Sequence, residues 1–125
     1  MDESEFNAEL CQQLKQIASN FSMFEYVSCA SAIQLHLVAR GIRGKQVMLC
    51  TGSARGKYGN IYHDGLQRNI STNGRHVAIA VEVGGQEMMF DNIHSAGILR
   101  QAWASSFYCL VIELGGCFEV NEVEF

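Results

Sequence analysis

One segment with a strict period of two limits the folds open to this chain more than any other feature. It begins at Arg75, and the apolar residues that would share one face of a strand are Val77, Ile79, Val81 and Val83. Gly84-Gly85 then predicts a two-residue turn, and residues 86–93 predict the returning strand. Such a hairpin indicates an antiparallel sheet whose apolar face must be covered by other elements.

The register of this hairpin brings a histidine close to a carboxylate. A two-residue loop places Asp91 opposite Ala78, on the same strand face as His76 and diagonal to it. Diagonal neighbours are roughly 7–8 Å apart at the backbone, within reach of a hydrogen bond between imidazole and carboxylate. We therefore expect Asp91 to orient His76.

A three-residue loop is the alternative, and it makes Asn92 the orienting residue instead. It would relieve the like-charge pairing of Glu82 with Glu87 that the shorter loop imposes. However, it would also turn Asp91 onto the apolar face, so the shorter loop is preferred. In that register His94 shares the parity of Asn92 and is not expected to be a base.

Apolar periodicity predicts two helices before the hairpin. Residues 4–24 repeat apolar side chains every three or four positions, which is typical of an amphipathic helix. Residues 29–40 are apolar on most sides, which predicts a central, buried helix. Ser28 is expected to cap this second helix, and Gly41 is expected to end it.

The remaining segments complete an α+β pattern. They are a strand at residues 45–51, a long irregular stretch at 52–74, a helix at 95–107 with Trp103 in the core, and a final hairpin of 108–114 and 118–123. This order predicts one domain over residues 1–125, with N-terminal helices packed on a mainly antiparallel sheet.

A cysteine at the start of the second predicted helix is the candidate nucleophile. Unpaired N–H groups and the positive end of the helix dipole would favour the thiolate of Cys29. His36 lies two helical turns away, roughly 10 Å, and cannot be its base. His76 can be its base, because two small alanines on the same strand face as His76 would let the helix that carries Cys29 pack close to that face. Cys29, His76 and Asp91 thus form a candidate nucleophile, base and orienting carboxylate.

Composition argues against several other classes of protein. The chain has 125 residues with a net charge of -4, which disfavours nucleic acid as a partner despite a basic stretch at residues 40–57. Its five cysteines include no CxxC pair, so we expect reduced thiols, no metal site and no cofactor. No signal peptide or membrane-spanning segment is expected.

Several short motifs together resemble a known family. They are Ser28-Cys29-Ala30 before an apolar helix, Thr51-Gly52-Ser53, Gly56-Lys57-Tyr58-Gly59-Asn60, residues 70–76 and Phe90-Asp91-Asn92-Ile93-His94. In order and spacing they resemble the papain-fold toxin domains at the C-termini of bacterial polymorphic toxins, from the first helix to Trp103. The resemblance implies a papain-like cysteine hydrolase fold with Cys29 as nucleophile, His76 as base and Asp91 as orienting residue.

The resemblance also implies a biological setting. It predicts a toxic effector domain, delivered as part of a larger protein, that acts on a protein substrate in the cytoplasm of a target cell. A cognate immunity protein is implied as a second partner. Papain has an oxyanion glutamine six residues before its cysteine, and Met23 occupies that position here. Asn20 is the candidate oxyanion residue in its place, with termination of the first helix as its alternative role.

Three functions remain open from the sequence. The first is amide hydrolysis through Cys29, either as a protease or as a glutamine deamidase. The second is a metal-independent ribonuclease toxin that uses His63 or His76 with the basic stretch, ranked lower because the chain is acidic. The third is a catalytically silent binding module on the same fold.

Overall fold

The computed structural model describes residues 2–53 and 55–125, and it confirms the α+β class. The helices are α1 (Glu3–Ala18), α2 (Tyr26–Ala39) and α3 (Arg100–Ser105). The strands are β1 (Lys45–Cys50), β2 (Ile61–His63), β3 (Arg68–Ser71), β4 (Arg75–Val83), β5 (Gln86–Phe90), β6 (Ile98–Leu99), β7 (Phe107–Tyr108) and β8 (Glu119–Glu124). No helix in those described ranges is long and apolar enough to cross a membrane.

The strands form two antiparallel sheets. The larger sheet has the order β6-β5-β4-β1-β8, and the smaller one has the order β3-β2-β7. The predicted hairpin of β4 and β5 is confirmed with its two-residue loop, since Val83 pairs with Gln86, but the returning strand ends at Phe90 and not at residue 93. The like-charge pairing of Glu82 with Glu87 is also present. Its repulsion is offset because the Glu87 carboxylate lies 3.0 Å from the guanidinium of Arg100.

The first helix is shorter than its apolar pattern predicts. It ends at Ala18, where the Ser19 hydroxyl donates to the Lys15 carbonyl at 2.6 Å. The Asn20 side-chain amide likewise donates to the Gln16 carbonyl at 3.1 Å. Short polar side chains that bond the preceding turn favour helix termination, and the apolar residues beyond this point belong to the segment that leads to α2.

The second helix begins three residues before the predicted start. Tyr26 is its first residue, so Ser28 lies inside the helix and is not its cap. Gly41 ends the helix as predicted, with a left-handed φ of 71°. The expectation of a central, buried helix is wrong, because one face of α2 is exposed; its exposed apolar side chains are Val27, Leu35 and Val38.

Apolar side chains cover both faces of β4. On one face Val77, Ile79 and Val81 pack against α1 and α2. On the other face Ala78 and Ala80 pack with buried residues of the smaller sheet and α3. The small alanines therefore make room for the smaller sheet and for α3, and the expectation that they accommodate the cysteine helix is wrong.

The C-terminal half departs most from prediction. The stretch at residues 52–74 contains β2 and β3, and the third helix is confined to Arg100–Ser105. The final hairpin is wrong: β7 pairs with β2, whereas β8 pairs with β1 at the edge of the larger sheet. Every residue of β8 is exposed, so its apolar residues do not mark a buried face.

Candidate active site

The predicted pairing of a histidine with a carboxylate is present at the start of β4. His76 Nε2 and Asp91 Oδ2 are 2.9 Å apart, and both side chains are fully buried. The other ring nitrogen of His76, Nδ1, is buried and has no hydrogen-bond partner among the described residues. An imidazole held in this way presents one free nitrogen as a base.

Asp91 is the most heavily bonded side chain of the site. Its Oδ2 also accepts from Trp103 Nε1 at 2.8 Å. Its Oδ1 accepts from the backbone N–H groups of Ile93 at 3.0 Å and His94 at 2.6 Å, and lies 3.1 Å from His94 Nδ1. Burial acts to raise the pKa of Asp91, but hydrogen bonds from His76 and His94 outweigh it and hold that pKa well below its ordinary range. The carboxylate is therefore ionised.

Aromatic side chains enclose the His76 ring. Its centroid lies 5.2 Å from that of Phe107, 5.6 Å from that of Tyr26 and 6.5 Å from that of Trp103. The Trp103 ring is stacked on it at an interplanar angle of 28°. These rings fix the plane of the imidazole and keep water away from its bond to Asp91.

A locked turn connects the start of β4 to the start of α2. Asn73 accepts from the backbone N–H of Arg75 at 3.2 Å and donates to the Tyr26 hydroxyl at 2.7 Å. Gly74 adopts a φ of 79°, and its carbonyl accepts from the Thr51 N–H at 2.9 Å. Two of the motifs that carried the resemblance, residues 70–76 and 51–53, thus meet at this turn.

The same turn relates the cysteine to the histidine. Tyr26 packs on the His76 ring, and Cys29 follows Tyr26 by three residues, on the same face of α2. The thiol is fully buried. Burial, followed by the negative charge of Asp91, raises the pKa of Cys29 to about 12.

We expected the start of the helix to favour the thiolate of Cys29, but α2 does not do so. The N–H of Cys29 is not an unpaired group of the first turn, because it donates to the Glu25 carbonyl at 3.0 Å. In this conformation the thiol is protonated at neutral pH. Any thiolate must form by transferring its proton to a neighbouring base.

Asn20, the candidate oxyanion residue, makes a hydrogen bond away from the site. Asn20 is exposed, and its side-chain amide donates to the carbonyl of Gln16. This geometry supports its alternative role in ending α1. In this conformation Asn20 is therefore not free to bind an oxyanion, and the backbone N–H of Cys29, which is bonded inside α2, is not free either.

Asn92, the alternative orienting residue, makes contacts of a different kind. Its side-chain amide donates to the carbonyls of Ser22 and Met23 at 2.8 and 2.7 Å. It therefore holds the segment between α1 and α2 that leads to Cys29, whereas the contact with the His76 ring is made by Asp91.

Sequence reasoning missed three contributors to the site. Trp103 was placed in the core without its bond to Asp91, because periodicity reports burial and not the direction of an indole N–H. His94, which parity placed away from His76, also belongs to the site: its Nδ1 lies 3.1 Å from Asp91 Oδ1, and its Nε2 lies 2.9 Å from Nε2 of His63, the third contributor. The turn at residues 91–94 could have been predicted, because an aspartate after a strand commonly accepts hydrogen bonds from the backbone two and three residues further along.

The two histidines other than His76 and His94 are both engaged in hydrogen bonds. His36 Nε2 lies 2.9 Å from the Gln13 side-chain oxygen, between the two helices. All five cysteines are free thiols. Both ring nitrogens of His63 are engaged, which leaves it no free nitrogen as the base of a ribonuclease.

The structure has two helices packed on an antiparallel sheet, a cysteine early in one helix, and a buried pair formed by a histidine on β4 and the aspartate that follows β5. These features define a papain-like fold. A model of the family described as papain fold toxin 2 matches residues 9–108, and the chain belongs to this family. The predicted fold and family are thereby confirmed, and the family is one of toxin domains. No curated protein and no solved structure matches the chain significantly.

Proposed function

We propose that this domain is a cysteine-dependent amide hydrolase in which Cys29 is the nucleophile, His76 the base and Asp91 the orienting carboxylate. One observation carries the proposal: Asp91 holds His76 through Nε2, and the buried Nδ1 has no partner within residues 2–53 and 55–125. A buried polar atom without a partner is destabilising, so such a group is expected to have a functional reason. The family supplies independent support, because its fold is that of a cysteine hydrolase.

The first half-reaction uses the free nitrogen of His76. The thiol proton of Cys29 moves to Nδ1, and the thiolate attacks the carbonyl carbon of an amide, forming a C–S bond. The carbon–nitrogen bond then breaks, and the imidazolium returns its proton to the leaving nitrogen. The ionised Asp91 stabilises the imidazolium between these two transfers.

The second half-reaction releases the acid. His76 Nδ1 takes a proton from water, whose oxygen attacks the thioester carbonyl. The C–S bond breaks, and the proton returns to sulfur. If the leaving nitrogen belongs to a peptide bond, the enzyme is a protease; if it is a glutamine side-chain nitrogen, released as ammonia, the enzyme is a deamidase.

Substrate entry requires a conformational change. Both Cys29 and His76 are 0% exposed, so no carbonyl can reach the thiol in the conformation described here. Opening would also rehydrate the thiol and so lower the desolvation that raises its pKa.

The family membership suggests the setting for this chemistry. We propose that the domain is a delivered part of a larger effector, that it acts on a protein in the cytoplasm of the target cell, and that the producer protects itself with a cognate immunity protein. An active hydrolase inside its own producer would otherwise attack the same class of target.

The proposal is tested by toxicity and by the chemical product. Cys29→Ala should abolish growth inhibition when the domain is expressed in a susceptible cell, whereas Cys117→Ala, at an exposed cysteine, should leave it unchanged. Mass spectrometry of the target proteome then separates the two reactions, because new chain termini indicate proteolysis and an amide-to-acid mass change indicates deamidation. Full toxicity of a folded Cys29→Ala variant would contradict the proposal and favour either a binding module or, if RNA is cleaved, a ribonuclease.

A further inference from the structure

A chain of hydrogen bonds continues from Asp91 away from His76. His94 Nδ1 lies 3.1 Å from Asp91 Oδ1, and His94 Nε2 lies 2.9 Å from His63 Nε2. The chain ends where the backbone N–H of Leu66 donates to His63 Nδ1 at 3.0 Å. His63 is 7% exposed. Nothing in the proposed reaction requires two further histidines on the far side of Asp91 from His76.

The two ends of this chain fix every proton within it. The Leu66 N–H can only donate, so Nδ1 of neutral His63 carries a lone pair and its proton is on Nε2. That proton points at His94 Nε2, which must accept it, so the His94 proton is on Nδ1 and is donated to Asp91. Because the ionised carboxylate is acceptor-only, His76 must donate to it from Nε2, which leaves Nδ1 of His76 as the acceptor.

We propose that His94 and His63 are positioning residues that hold Asp91 and thereby fix the tautomer and orientation of His76. This inference depends on the proposed function in one respect only, the role of His76 Nδ1 as the base. Aromatic packing supports a fixed arrangement, since Phe107 meets the rings of both His63 and His94 edge-on, with centroids 5.4 and 5.9 Å away.

All hydrogen bonds from Asp91 to Leu66 can form only while the imidazoles of His94 and His63, the two outer histidines, are both neutral. A proton added to His63 would set Nδ1–H against the Leu66 N–H, and one added to His94 would set two Nε2–H groups against each other. Protonation of either ring therefore breaks one hydrogen bond.

Several titratable groups face His63, and their effects differ in sign. His94 and His76 disfavour a positive charge on it, whereas Asp91 and Asp64 favour one. Burial is the largest influence and, with His94, holds the pKa of His63 below its ordinary value. Neutral His63 is therefore the form expected at neutral pH.

A direct test reads the tautomers without any substrate. Long-range ¹H–¹⁵N correlation spectra of the histidine rings should be recorded on the Cys29→Ala protein, with assignments from single His→Gln variants. At neutral pH we expect the proton on Nε2 in His63 and His76 and on Nδ1 in His94. A proton on Nε2 of His94, or a doubly protonated ring in either outer histidine, would overturn the proposal.

A second measurement separates positioning from mere packing. His63→Phe keeps a ring of similar shape but removes the proton donor that faces His94 Nε2. The ¹⁵N resonance of His94 Nε2 should then move downfield, towards that of an imine nitrogen without a hydrogen bond. An unchanged resonance would mean that His63 only fills space, and it would contradict the proposed hydrogen-bond chain.

The effect on the nucleophile is measured at Cys29 itself. Trypsin releases residues 16–40 as a peptide in which Cys29 is the only cysteine, so its alkylation rate can be followed by mass spectrometry. His94→Ala should slow that rate at least about tenfold, the effect of losing one hydrogen bond to a charged group. His94→Asn keeps a donor near the Nδ1 position and should restore most of the rate.

The two proposals can fail separately. If His94→Ala and the parent protein alkylate at the same rate, the positioning role is wrong even where Cys29→Ala abolishes toxicity. If Cys29→Ala remains toxic, the proposed function is wrong. The tautomers of His63 and His94 then still decide whether the hydrogen bonds from Asp91 to His63 are arranged as proposed.

Discussion

Replacing Asp91 with asparagine tests the central claim of the site with the smallest change of shape. The side chain keeps its size but exchanges one acceptor oxygen for an NH₂ donor. Oδ1 faces three donors, of which two are backbone N–H groups that cannot change, whereas Oδ2 faces His76 and Trp103. The amide oxygen should therefore take the Oδ1 position and the NH₂ group the Oδ2 position.

Two consequences follow from that orientation. His76 must accept from the new NH₂ group through Nε2, so its own proton moves to Nδ1 and the base is lost. The corresponding tautomer error in a serine–histidine–aspartate triad lowers kcat about 10⁴-fold, and we expect a loss of that order here. The Trp103 N–H is also left buried without an acceptor, which should lower the free energy of unfolding by about 1–3 kcal/mol.

The assay must separate these two effects. Cys29 alkylation and toxicity report the base, and urea unfolding of the same variant reports the stability. Trp103→Phe is the matched control, because it removes the same N–H while leaving the tautomer of His76 intact. Its rate per folded molecule should fall about tenfold, as in His94→Ala, because each variant loses one bond to the carboxylate, and so should stay far above the rate of Asp91→Asn. A folded Asp91→Asn variant that matches Trp103→Phe in rate would refute the assignment of Asp91 as the orienting residue.

Three further predictions concern the frame around the site. Gly74→Ala should lower the free energy of unfolding by about 1–3 kcal/mol, because φ is 79° and its Cβ would lie 2.4 Å from the Ser53 carbonyl oxygen; urea unfolding measures this. Asn92→Ala removes two bonds to the segment between α1 and α2, so alkylation of Cys29 should become about tenfold faster as the site opens more often. The stability contributed by neutral His63 is complete above its ordinary pKa of 6.5 and is lost as the pH falls through its lower folded pKa, so His63→Gln should flatten the stability–pH curve below pH 6.5.

The hairpin was predictable because its signals agree at every level. Alternation selected the buried face, Gly84-Gly85 selected the loop length, and the loop length fixed which residues lie opposite each other. Since His76 and Asp91 sit within that one hairpin, their pairing followed from local sequence alone. The predicted strand register is confirmed even though Glu82 faces Glu87 across it, because charges from other elements relieve their repulsion.

The position of the cysteine helix was not predictable in the same way. Parity placed His76 on the alanine face of β4, but α2 packs on the valine and isoleucine face. The first residues of α2 instead meet the end of the strand, where Tyr26 contacts both His76 and the turn at Asn73. That contact depends on the angle between helix and sheet, which no period in the sequence encodes. The pairing of β8 with β1 was missed for a related reason, since its two apolar side chains, Val120 and Val123, are both exposed.

The burial of the reacting groups decides how the reactivity of this site should be interpreted. An active thiol is usually recognised by a lowered pKa and partial exposure, yet Cys29 is fully buried and its pKa is raised to about 12. The observed rate in the free protein is then the product of the open fraction and the rate in the open form. Each 1.4 kcal/mol needed to open the site lowers that rate tenfold. A low alkylation rate in the resting protein therefore does not argue against Cys29 as the nucleophile, whereas a rate that fails to rise in Asn92→Ala does argue against control by the segment that Asn92 holds.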